Sequence, residues 1–94
     1  MRESSMSTMI DSEVTMRDAY DPASFGRAIR AIRHERAWTQ AKLAEWLGVS
    51  RQTVVALEQG GPVSLIVALK AVSVLGSRIV VAPKGAVLSE VGSS

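Results

Sequence analysis

A hydroxyl, a guanidinium, a carboxamide and a short apolar side chain stand close together at Ser50, Arg51, Gln52 and Val55. Shown on one exposed face, such groups match the base-pair edges of a major groove. A guanidinium forks onto guanine O6 and N7, a carboxamide pairs with adenine N6 and N7, and a small apolar group touches the thymine methyl. Thr39, Gln40, Lys42 and Thr53 add hydroxyls, an amide and a cation suited to phosphate oxygens, provided they lie at helix starts where free amides already favour anions. No acidic residue falls between Glu45 and Glu58 to oppose this chemistry.

Other chemistries lack their groups. The 94-residue chain has no cysteine and a single histidine, His34, so disulfides, thiolate catalysis and metal sites of clustered Cys or His are excluded. His34, next to Glu35, has no second titratable partner and reads as a surface residue. No catalytic residue, metal or cofactor is expected. The composition, 47% hydrophobic and 21% charged, is that of one small globular domain whose limited core favours a second copy or a partner. The longest charge-free apolar stretch, around Val63 to Leu69, is too short for a bilayer, and residues 1–20 do not resemble a secretory signal. The expectation is a cytoplasmic protein with no membrane association.

Charge is unevenly spread. Residues 1–21 hold two basic and five acidic groups, a net −3, while residues 22–94 hold nine basic and four acidic groups, a net +5. The basic part is the part with periodicity, and it must supply the scaffold. Residues 1–20 read as a flexible tail, with a short helix over 10–17 conceivable.

Asp21 and Pro22 open the first helix, to about residue 36, with Phe25, Ala28, Ile29 and Ile32 on its apolar side. Tyr20 and Phe25 are placed to form a hydrophobic staple. The other flank carries Arg27, Arg30, Arg33 and Arg36, a solvated basic face. Thr39 starts a second helix that Gly48 stops, Ser50 caps a third over 51–59, and Ser64 caps a fourth over 65–75. Trp38 reads as core, and Trp46 lies about 100° from the Leu43, Ala44 and Leu47 stripe. Arg78 to Ala82 is β-branched and bounded by Gly and Pro, a strand signal.

Residues 39–60 meet the demands of a helix-turn-helix. Leu43, Leu47, Val49, Val54 and Leu57 occupy the positions that glue the two helices together; Ala44 is small where they cross, and Gly48 stands where φ must be positive. With Val54 and Leu57 inward, Gln52, Val55, Ala56 and Gln59 face outward.

The segments Trp38-Thr39-Gln40-Ala41-Lys42-Leu43-Ala44, Gly48-Val49-Ser50 and Leu57-Glu58-Gln59-Gly60 resemble the lambda-repressor-like, Xre-type helix-turn-helix family over about residues 22–76. The continuation from Leu65 to Lys84 resembles the HipB-type antitoxins of that family. The resemblance implies an all-α domain of four to five helices, with a short C-terminal β-strand (Ile79, Val80, Val81) pairing across a homodimer. It also implies a double-stranded DNA operator, a HipA-type kinase toxin as partner, and a structural ion pair between Arg33 and Glu58. The domain division is 1–20 tail, 21–76 helix-turn-helix, 77–94 dimerisation strand and tail. The strand could instead pair within the subunit through a turn at Ala82 to Gly85, with Ala86 to Leu88 as its neighbour. Leu65, Leu69, Val72 and Leu75 of the fourth helix are expected to fill the dimer core. Two other functions stay open: a stand-alone regulator of the same family without a toxin, and a protein-interaction module that does not bind DNA.

Overall fold

The computed structural model describes residues 16–86. The chain divides into two compact units, and the unit from Asp18 to Ile79 carries four helices: α1 (Pro22–Glu35), α2 (Gln40–Leu47), α3 (Arg51–Gln59) and α4 (Leu65–Val74). Each begins on a side chain that accepts from a free backbone amide: Asp21, Thr39, Ser50 and Ser64 each bond the amide three residues on. Alternation of cap and apolar stripe thus fixes four short rods. Their burial against one another fixes the bundle, with α3 packed on α1 and α2, and α2 on α4. Among the described residues no helix is long and apolar enough to cross a membrane.

The core is Ile29 of α1, Leu43, Ala44 and Leu47 of α2, Val54 and Leu57 of α3, and Ala71, Val72 and Leu75 of α4 and its end. Burying the isoleucine, leucine and valine side chains stabilises by about 1.5–3 kcal/mol each, and the two alanines by less. The turn between α2 and α3 is tight because Gly48 adopts φ 71° and lets Val49 N–H donate to Ala44 O at 3.0 Å. α1 can approach α3 only through Gly26. A Cβ there would press on Leu57 O and lie 2.5 Å from Glu58 O.

Three details depart from the sequence expectation. Tyr20 is 83% exposed, so no staple covers its ring. Instead the Ser24 hydroxyl accepts from the Tyr20 and Asp21 amides at 2.9 and 3.1 Å, and Asp21 Oδ1 accepts from the Ser24 amide at 2.7 Å, a reciprocal capping box. The end of α1 has no glycine: Ala37 takes the left-handed position at φ 58°, with Ala37 N–H donating to His34 O and Trp38 N–H to Arg33 O. On α4, Val72 and Leu75 turn into the core of their own chain, while Leu65, Ile66 and Leu69 stay 72%, 77% and 46% exposed.

Among the described residues no strand is formed. Ile79, Val80 and Val81 are exposed. In the other unit Pro83 O accepts from Ala86 N–H at 3.0 Å, closing a turn with Gly85 at φ 84°. Val87 and Leu88, the alternative neighbours, lie outside the described residues, as does most of the conceivable helix over 10–17.

Candidate nucleic-acid interface

The third helix presents its first turn to solvent. Ser50 holds it open at the N-terminus: its Oγ accepts from Thr53 N–H at 3.2 Å and lies 3.0 Å from Thr53 Oγ1. Arg51 and Gln52 follow, both exposed, so their five guanidinium and two amide protons face outward. Val55 and Ala56 are half-buried and Gln59 is exposed. The outward face therefore grades from polar at the first turn to small and apolar at the middle, where backbone can come close to a partner.

The start of α2 lies beside this face. Thr39 Oγ1 accepts from Lys42 N–H at 3.0 Å, leaving its second lone pair and its own proton for another partner. Lys42 lies with Nζ 4.8 Å from the ring centre of Trp38, a cation held over an aromatic face. Trp38 in turn stacks on Trp46, ring centres 5.9 Å apart and planes 22° from parallel. Trp38 is only partly buried and Trp46 is 58% exposed, so the two indoles cover each other on the flank of α2 and the first of them adds its inner edge to the core.

Behind these groups sits a buried polar anchor. Arg33 and Glu58 are each 6% exposed. Arg33 Nε donates to Glu58 Oε2 at 2.6 Å and its Nη2 to Oε1 at 3.1 Å, a two-point contact, while Nη1 donates to Trp38 O at 2.8 Å. Gln40 Nε2 donates to Glu58 Oε1 at 3.1 Å. One carboxylate at the end of α3 thereby ties the C-terminal part of α1, the entry to α2 and the first residue of α2. Gln40, expected as a phosphate contact, has part of its hydrogen-bonding capacity committed to that tie.

Thr39, Gln40 and Arg51 meet at one groove, whose walls also include Arg30, Glu58 and Gln59. The four arginines of α1 and its C-cap thus separate in space. Arg33 is buried, Arg30 lines the groove, the Arg36 guanidinium packs over Gly76, and Arg27 lies close enough to help lower the Asp21 carboxyl. That carboxyl is held below its ordinary value mainly by the Ser24 hydroxyl and then by the Ser24 amide. Sequence reasoning missed the place of Arg30, the Gln40 to Glu58 bond and the close approach at Gly26. Among the described residues no cluster of three or more His, Asp or Glu could hold a metal.

A family model for a helix-turn-helix domain matches residues 24–77, which hold all four helices but the first two residues of α1. The chain belongs to the helix-turn-helix domain family. Helix-turn-helix structures of similar shape include a HipB variant in complex with an O2 20mer, at TM-score 0.68 and 22% identity over 74% of this chain and 99% of that one. A HipA-HipB-O2-O3 complex gives TM-score 0.66 and 21% identity, covering 73% of this chain and 99% of that one. HipB with an O4 20mer gives 0.67 at 21% identity, with the same coverage. At these identities the likeness is one of fold. Comparison with curated proteins gave no match. The helix-turn-helix assignment makes the chain a DNA-binding regulator.

Proposed function

We propose that the protein is a sequence-specific transcriptional repressor that binds a double-stranded operator as a homodimer and serves as a HipB-like antitoxin, autoregulating its operon and binding a HipA-type kinase toxin. The observation that carries the DNA reading is the exposed Arg51 and Gln52 pair on the first turn of α3, beside the capped start of α2. Ser50, Arg51, Gln52 and Val55 address base edges; Thr39, Gln40, Lys42 and Thr53 address phosphates. Arg33 and Glu58 hold the frame. A dimer places two such helices one DNA turn apart, and Ile79, Val80 and Val81 are assigned to its strand pair. The exposed apolar side of α4 supports self-association, and the HipA-HipB complex among the similar folds supports the toxin partner.

Gel shifts over a salt series test the docking face. Arg51→Ala or Gln52→Ala is expected to cost about 1–3 kcal/mol at the operator and to relax base preference, whereas Lys42→Ala lowers the salt slope by about one without changing preference. Wild-type binding by all three variants would put the interface elsewhere. For the toxin, the expected result is copurification with a HipA-type kinase encoded beside the gene; a regulator that purifies alone in its presence contradicts the antitoxin reading.

A further inference from the structure

Besides the buried Arg33, two arginines line the groove between the start of α2 and α3: Arg30 of α1 and Arg51 of α3. Both residues are exposed, and among the described residues neither has a carboxylate within ion-pair distance. The carboxylate in the groove wall, Glu58, is already matched by the two-point contact of Arg33 and by the Gln40 amide. It therefore offers no neutralisation to the other two arginines, and the groove keeps the charge of both. The remaining wall is mostly polar, from Thr39, Gln40 and Gln59, with Ala41 its one apolar residue. An open groove of about 550 Å³ with this lining is a poor seat for an apolar small molecule. It is a good one for an anion whose paired oxygens fit a guanidinium fork.

We propose that Arg30 is a further phosphate contact of the DNA-binding surface, so that α1 as well as α2 grips the backbone that Arg51 approaches from α3. The proposal rests on the DNA-binding reading above and adds to it a residue whose position in sequence suggests only a solvated flank. The neighbouring Arg27, one turn earlier on α1, does not line the groove and bears on Asp21 instead. The two arginines carry equal charge and differ in place, which separates contact from general attraction.

The test titrates the full chain with a mixed-sequence duplex of about 25 base pairs, by fluorescence anisotropy, between about 50 and 200 mM salt. Wild type is compared with Arg30→Gln, Arg30→Lys and Arg27→Gln, with circular dichroism verifying that each is folded. Arg30→Gln is expected to bind about tenfold more weakly at the lowest salt and to lose about one from the slope of log affinity against log salt. Arg30→Lys keeps the slope, and Arg27→Gln changes it by well under half as much. Equal effects of Arg30→Gln and Arg27→Gln would reduce Arg30 to long-range attraction and overturn the proposal. So would an Arg30→Gln protein that binds like wild type, which leaves the DNA-binding reading intact. A wild-type protein that binds no duplex at any salt would remove that reading and this one together.

Discussion

The surface built by α3 and the start of α2 has its buried polar groups partnered within one chain, whereas the surface of α4 leaves its apolar groups in water. On the first, Glu58 is saturated by Arg33 and Gln40, the helix starts are capped by Thr39 and Ser50, and the side chains left outward are polar ones that water serves well. On the second, Leu65, Ile66 and Leu69 lie exposed in a row along one helix. The difference teaches that the two faces are finished by different things. The anchor of the polar face is satisfied before it meets a ligand, and the apolar face gains stability only when covered.

Removing the anchor of the polar face is the strongest way to break this comparison. Glu58→Ala strands the buried Arg33 guanidinium and is expected to lower folding stability by about 3–5 kcal/mol in urea denaturation. A loss under about 1 kcal/mol would mean that the pair is not holding the frame. On the apolar face, Leu65→Ser and Ile66→Ser are each expected to weaken self-association about tenfold or more in sedimentation equilibrium, while leaving the monomer's helical signal unchanged. If both variants associate like wild type, some other surface joins the copies.

Two smaller effects sharpen the picture of the scaffold. Ala37→Gly relieves the left-handed backbone at the end of α1 and is expected to add about 0.5–1 kcal/mol to stability, read as a higher urea midpoint. At the other end of α1, the Asp21 carboxyl has a folded-state pKa below the unfolded value of 3.8. Its stabilising contribution is therefore present above that value and disappears as pH falls through the lower folded one. Asp21→Asn lacks this term, so its stability relative to wild type should drift upward as pH drops from about 6 to about 2. A constant difference across that range would show that the carboxylate charge contributes nothing there.

Helix starts and stops were legible because each depends on a few neighbouring residues. Asp21, Thr39, Ser50 and Ser64 act on amides three positions away, and Gly48 and Gly60 sit at the left-handed turns their helices end in. The exception, Ala37, was invisible for the same reason, since nothing local marks an alanine for that conformation. What depends on the crossing of α1 with α3 was only partly legible. The resemblance implied the Arg33 and Glu58 pair, but neither the tight approach at Gly26 nor the placing of Arg30 apart from Arg27 leaves a mark in spacing. That Val72 and Leu75 turn into the core of their own chain was not legible because the sequence from Leu65 to Leu75 is apolar on nearly every side; which residues turn inward is decided by where α2 packs against it.

The stacked indoles of Trp38 and Trp46 have an optical consequence. They are the chain's entire complement of two tryptophans, and both belong to α2 or the residue pair leading into it. Emission excited at the red edge, where the lone tyrosine does not absorb, therefore reports on that single rod and the Lys42 ammonium above it. The molecule carries its own unlabelled gauge of the element that supports the reading helix.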